Sequence, residues 1–249
     1  MGAMQALGSM LFWLFLTATS VALFPVACLV WALTRPFDPK LRWLHRFTSF
    51  WASLYTWFNP AWPVEVVGRE RIDRDEAYVM VANHLSLLDI LVLFRLFVHF
   101  KWVSKIENFR IPFIGWNMWL NGYIPLRRGE RASVVQMMKA SLEALAQGSS
   151  IMMFPEGTRS PSGRMRQFKT GAFEIARAAR RPILPIAVEG TARALPKRGF
   201  VLQGRHPIRV TVLEPIPYAA FADDDVDTLT ARVREVIAGT LDEKEPAPI

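Results

Sequence analysis

Residues 10–33 form an unbroken run of apolar, small or weakly polar side chains without a single charge. About twenty such residues suffice to cross a bilayer as a helix, so the run predicts a membrane helix, with a kink expected at Pro25. Between 41 and 58 the pattern becomes periodic. Leu41, Leu44, Phe47, Trp51, Leu54, Tyr55 and Phe58 recur at helical spacing on one face, while Arg42, His45, Arg46, Ser49 and Ser53 take the other. This amphipathic helix suits the headgroup boundary, and packing on the following domain is the alternative. The short Pro-containing link 35–40 makes the two segments a candidate helix pair that either spans the membrane or dips into one leaflet.

From about residue 64 short β-branched runs alternate with helical stretches, the pattern of an α/β sheet covered by helices. Strands are expected at 64–67, 78–82, 102–104, 123–126, 151–154, 183–188 and 208–213. Helices are expected at 132–147, which stops at Gly148, near 171–179 and at 227–241, with a fraying tail over 242–249. The expected fold class is α/β: a mixed, largely parallel sheet flanked by helices, behind an N-terminal membrane helix pair. The expected division is a membrane anchor and amphipathic helix over 1–60 and one catalytic domain over 61–249.

Charge sharpens this picture. The first charged side chain is Arg35, so the whole net charge of +8 lies beyond the apolar run. Arg35, Lys40, Arg42 and Arg46 follow it directly, which by the positive-inside bias puts the bulk of the chain on the cytoplasmic face, the inner membrane in a bacterium. A basic start and a short apolar core, the marks of a cleaved leader, are both missing, so the run is expected to be retained. The basic excess points to lipid rather than nucleic acid, because the nine tryptophans fall in hydrophobic or amphipathic stretches rather than among the arginines. Cys28 is the sole cysteine, and His45, His84, His99 and His206 form no H-E-x-x-H, so no disulfide, metal or cofactor is expected.

The candidate chemistry starts at Asn83-His84, delivered by the apolar run 78–82 to the end of a strand, where open α/β sheets tend to bind ligands. Asp89 lies five residues after His84, a spacing that would put the two on different faces of one helix. Ser86-Leu87-Leu88-Asp89 reads as a capping box with Ser86 as N-cap. His84 then precedes the helix and can fold back on Asp89, giving a neutral general base with a carboxylate that fixes its tautomer. A polar helix start with a locally satisfied histidine would produce the same letters. Further on, Phe154-Pro155 ends a strand and Glu156-Gly157-Thr158-Arg159 follows. Glycine permits close approach of backbone N–H groups to an anion, and Arg159 offers a bidentate fork to phosphate. Glu156 would repel such a ligand, so it is assigned to a glycerol hydroxyl or to holding Arg159. Arg164, Arg166 and Lys169 add charge just beyond, for membrane headgroups or for further phosphate groups.

Four blocks in this order resemble the 1-acyl-sn-glycerol-3-phosphate acyltransferase family: Asn83 to Asp89, Gly122 to Arg128, Phe154 to Ser160, and 183–188 around Pro185. The resemblance covers roughly residues 62–217 and implies a glycerolphosphate acyltransferase-like fold. It implies transfer of a fatty acyl group from acyl-CoA or acyl-carrier protein to the sn-2 hydroxyl of lysophosphatidic acid, giving phosphatidic acid. It assigns His84 and Asp89 as the catalytic pair and Arg128 as a contact to the acceptor phosphate. Lys105 becomes a secondary phosphate candidate, and Pro185 support for the acyl-donor side. Arg127 stands where many relatives carry an acidic residue. Transfer to glycerol-3-phosphate or another lysolipid is the nearest alternative, and a non-catalytic basic scaffold on the membrane surface is the alternative from another class.

Overall fold

The computed structural model describes residues 2–160, 164–197 and 200–241, so the predicted tail lies outside the described residues. The chain begins with α1 (Ala3–Thr34), which runs through Pro25, and α2 (Arg42–Trp57). The remainder alternates strands and helices: β1 (Val64–Val67), β2 (Val79–Ala82), α3 (Leu88–Leu93), β3 (Phe100–Lys105), α4 (Ile114–Leu120), β4 (Ile124–Leu126), α5 (Arg131–Ala146) and β5 (Ser150–Met153). It closes with α6 (Gly171–Ala179), β6 (Ile183–Glu189), the single turn α7 (Thr191–Ala194), β7 (Ile208–Val212) and α8 (Val226–Ala238). Seven strands form one sheet in the order β1-β7-β6-β2-β5-β3-β4. Every neighbouring pair is parallel except β6 with β7. The central strands β2, β5 and β6 are near-continuous apolar runs because both of their faces are covered.

The two faces of the sheet bury separate apolar clusters. One holds Val79, Val81, Ile151, Phe173 and Val233 under α5, α6 and α8. The other joins Met80, Ala82, Met152 and Leu184 to Phe12, Ala27, Leu44, Trp51 and Tyr55 from α1 and α2. Residues before 60 thus share a core with the sheet instead of forming a separately packed unit.

The apolar face expected for α2 is largely the buried one, with Leu41, Leu44, Trp51 and Tyr55 in the core, but the opposite side is not the polar, solvated one expected. His45, Thr48, Ser49 and Ser53 point inward and are buried, while Trp43, Phe50, Trp57 and Phe58 are exposed. Most of the inward polar groups find partners, although His45 Nε2 has none among the described residues. Ser49 and Ser53 donate to the carbonyls one turn earlier at 2.9 and 2.7 Å, His45 Nδ1 shares a hydrogen bond with the Tyr123 hydroxyl at 2.9 Å, and Thr48 Oγ1 accepts from Asn117 and Asn121. Small residues whose hydroxyls bond back to their own helix let α1 and the sheet approach closely. The N-terminus therefore carries one apolar helix, α1, not a membrane pair: α2 is sandwiched between α1 and the domain.

α1 packs lengthwise. Near its start Trp13 Nε1 donates to the Phe200 carbonyl at 2.7 Å and Ser9 Oγ accepts the Leu202 N–H at 2.9 Å. In its middle Thr19 Oγ1 lies 3.0 Å from the Tyr55 hydroxyl, and further along Phe24 meets Phe113 and Trp116. The opposite face leaves Leu7, Leu11, Leu14, Val21, Leu29 and Leu33 exposed. By length and composition this helix can cross a membrane.

Candidate active site

The parallel strands bring the candidate residues to one edge. His84 follows the carboxyl end of β2, Glu156 to Arg159 follow β5, Lys105 ends β3, and Arg128 follows β4. Because these strands are neighbours in that order, the row spans three strand spacings, about 14 Å. Pro185 is not in the row. It lies inside β6, buried and in register with Val81, where it packs the sheet.

Asn83 explains how the chain leaves β2. Its side-chain amide donates to the Val188 carbonyl and accepts the Val188 N–H, both at 2.8 Å. The amide thereby continues the ladder to β6 for one residue while the backbone turns away. His84 then stands clear of the sheet and its ring lies flat on Phe154, with centroids 3.9 Å apart and planes 9° apart.

The turn between His84 and Asp89 forms largely as its letters predict. α3 begins at Leu88, one residue later than a Ser86 N-cap would place it. Ser86 Oγ accepts the Leu88 N–H at 3.2 Å, and the Asp89 carboxylate reaches back to the N–H groups of Ser86 and Leu85 at 2.8 and 2.7 Å. The same oxygen, Oδ2, lies 2.9 Å from His84 Nδ1, and the other accepts the Thr191 hydroxyl. Asp89 is fully buried and surrounded by donors. An ionised carboxylate only accepts, so Nδ1 carries the ring proton and Nε2 keeps its lone pair. A pair in this state can take a proton from a hydroxyl and stabilise the resulting imidazolium.

Thr191 was not legible as a site residue. It sits 102 positions from Asp89 and arrives through β6 and a sharp turn at Gly190, where φ is +84°. A side chain at Gly190 would collide with the Pro207 carbonyl.

The Glu156 carboxylate does not hold the Arg159 guanidinium. Its two oxygens accept the backbone N–H groups of His84 at 2.6 Å and Arg166 at 2.9 Å. With the Ser160 N–H donating to the His84 carbonyl at 3.0 Å, the loop after β5 grips the backbone of His84 on both sides. Glu156 is only 3% exposed. Burial, with a smaller push from Asp89, raises its carboxyl to about 7.

Gly157 adopts φ +70°, and its N–H is taken by the Phe154 carbonyl at 3.0 Å. It therefore does not join the expected N–H cradle. What the missing side chain provides is room for Lys169, whose Cε lies 3.2 Å from where a Cβ would be. Arg159, with Thr158 beside it, is partly exposed on the same turn, and Lys197 Nζ donates to the Arg159 carbonyl at 2.6 Å. Among the described residues the guanidinium groups of Arg128 and Arg159 make no ion pair. Arg127 is matched by Glu130 at 3.2 Å, and Lys105 by Glu107 at 3.2 Å. Among the described residues there is no cluster of His, Cys, Asp and Glu able to hold a metal.

Residues 63–189 match the family model described as Acyltransferase, and fold and site together define an acyltransferase. A 1-acyl-sn-glycerol-3-phosphate acyltransferase of Chlamydomonas reinhardtii is 36% identical over 92% of this chain and 67% of its own length. The chloroplastic 1-acyl-sn-glycerol-3-phosphate acyltransferase LPAT1 of Arabidopsis thaliana is 36% identical over 83% of this chain. The chain spans 56% of that relative's length. The crystal structure of the 1-acyl-sn-glycerophosphate acyltransferase PlsC from Thermotoga maritima superposes with a TM-score of 0.77 at 25% identity, covering 95% of each chain. The chain belongs to the 1-acyl-sn-glycerol-3-phosphate acyltransferase family.

Proposed function

We propose that this protein transfers a fatty acyl group from an acyl thioester, acyl-CoA or acyl-carrier protein, to the sn-2 hydroxyl of lysophosphatidic acid, giving phosphatidic acid. The observation that carries the reading is the His84 Nδ1 to Asp89 Oδ2 contact of 2.9 Å, one strand away from the turn bearing Arg159. His84 Nε2 takes the proton of the acceptor hydroxyl as its oxygen attacks the thioester carbonyl carbon. The tetrahedral intermediate collapses with cleavage of the C–S bond, and the imidazolium returns the proton to the departing thiolate. Arg159 and Arg128 hold the acceptor phosphate, with Lys105 and Thr158 beside them, through charge-assisted hydrogen bonds. The names of the relatives support lysophosphatidic acid as the acceptor.

The packing of α1 supports membrane attachment in one leaflet, and the positive residues that follow it, Arg35, Lys40, Arg42 and Arg46, favour the cytoplasmic face. Its 32 residues make a rod about 48 Å long. The domain is bound along most of that rod, so an upright helix would drag polar loops into hydrocarbon. Lying in the interface, α1 submerges its exposed leucines and leaves the active edge near the lipid substrate.

Acyl transfer from palmitoyl-CoA to lysophosphatidic acid, followed by mass spectrometry on detergent-purified protein, tests the reading. Wild type forms phosphatidic acid. Folded His84→Ala forms essentially none, and Arg159→Ala chiefly raises the KM for the acceptor. Equal product from wild type and His84→Ala would refute the base assignment.

A further inference from the structure

A cavity of about 510 Å³ opens at the end of the sheet opposite the catalytic pair. Tyr78 and Ser150, which line it, stand at the amino ends of β2 and β5, whereas His84 and Glu156 follow the carboxyl ends of those strands. The length of β2 alone separates the two sites by about 13 Å. The lining also includes Arg42 and Arg46 from α2 and Arg74 from the loop before β2.

The cavity is electropositive. Among the described residues none of the three arginines makes an ion pair. Of the acids on the rim, Glu76 is matched by Arg181 at 2.9 Å, which leaves Asp73 against three guanidinium groups. The floor feels the same field. Burial first, then His45, Lys101, Arg42 and Lys40, lowers His99 to about 2, and burial with Lys101 lowers His45 to about 3. Both imidazoles therefore stay neutral at physiological pH and add no charge of their own to the cavity.

The mouth is apolar. Trp43, which lines the cavity, is 56% exposed, Leu33 is exposed at the end of α1, and Phe37 is exposed in the link between α1 and α2. That link reaches the opening, since Lys40 Nζ lies 2.8 Å from where a Cβ on Gly148 would be. Trp43, Arg46 and Phe50 follow one another at i, i+3 and i+4 steps, so one face of α2 presents a guanidinium between two exposed aromatic rings. A helix placed at an interface in this way keeps its rings among acyl chains and directs its guanidinium to the phosphate level.

We propose that this cavity is a binding site for the phosphate headgroup of an anionic membrane phospholipid, separate from the site of acyl transfer. Arg42, Arg46 and Arg74 hold the phosphate, and Trp43 with Phe37 and Leu33 meets the chains. A thioester donor docked here would face the wrong edge of the sheet to reach His84, which rules against the donor as occupant. Occupancy ties α2, and through Arg74 the domain itself, to anionic lipid.

Native mass spectrometry of the full chain in neutral detergent tests the proposal with dioctanoyl phosphatidylglycerol and, as the zwitterionic comparison without net charge, dioctanoyl phosphatidylcholine. Wild type should retain one phosphatidylglycerol more strongly than phosphatidylcholine. An Arg42→Gln/Arg46→Gln/Arg74→Gln variant should bind it at least about tenfold more weakly, as should Arg74→Gln alone to a smaller degree. Arg128→Gln/Arg159→Gln, altered at the other edge, and Lys139→Gln, altered at a side chain 79% exposed on α5, should retain it. Retention by the triple variant, loss in the Arg128/Arg159 variant, or equal retention of phosphatidylcholine would overturn the proposal. Inorganic phosphate that displaces the lipid at equal concentration would overturn its assignment to a lipid headgroup.

Discussion

Replacing Glu156 by glutamine should change how stability depends on pH, and the sign follows from burial. The carboxyl is pushed up to about 7 in the fold from its ordinary 4.5. A group raised in this way contributes stability that is fully present below pH 4.5 and is lost as pH rises through 7. Integrating that difference between pH 5 and pH 8 gives a loss of about 2–3 kcal/mol from this one side chain. For a domain of this size that is a fall in Tm of about 4–12 °C. Glutamine does not ionise, so its own contribution is flat. It does turn one amide donor toward the N–H of either His84 or Arg166, a pH-independent cost of about 1–3 kcal/mol. Thermal unfolding in detergent, read by tryptophan fluorescence, should show the variant less stable than wild type at pH 5 and the gap closing or reversing by pH 8. Parallel Tm curves for the two proteins over that range would refute the buried, proton-holding carboxyl as the tie between the two loops.

Two further substitutions probe the pair. Asp89→Asn can keep its oxygen toward His84, Leu85 and Ser86 while the Thr191 hydroxyl rotates to accept, so the protein should fold and kcat should fall by about 10³–10⁴; a loss below tenfold, measured by phosphatidic acid formation, would show that the carboxylate does not act through His84. Thr191→Val leaves one Asp89 oxygen without its donor and should cost about 1–3 kcal/mol in stability, read as a lower midpoint in chemical unfolding; an unchanged midpoint would reduce Thr191 to a packing residue.

Local chemistry explains what was legible in the chain. All seven strands and the helices around α5, α6 and α8 lie within a few residues of their expected bounds, because β-branched runs, helical periodicity and glycine stops are written in neighbouring residues. The His84 to Asp89 turn was readable for the same reason, since Ser86 and Asp89 supply their own capping partners. The polar side of α2 was misread because periodicity measures apolarity, and here His45, Ser49 and Ser53 are buried beside Leu44, Trp51 and Tyr55, with bonds to their own helix and to Tyr123.

The sequence by itself determined the alternating α/β plan, the apolar first helix, the turn that brings His84 onto Asp89 and the arginine-bearing turn. Each is a pattern within one segment, fixed by backbone preference, side-chain spacing or local hydrogen bonding. Only the tertiary structure decided that Glu156 grips the backbone of His84 across 72 residues and that Thr191 completes the Asp89 shell across 102. It alone lays α1 along the domain and puts Arg74 beside Arg42 and Arg46. Those relations join residues far apart in the chain, and they exist only once parallel strand order has brought their loops to a common edge.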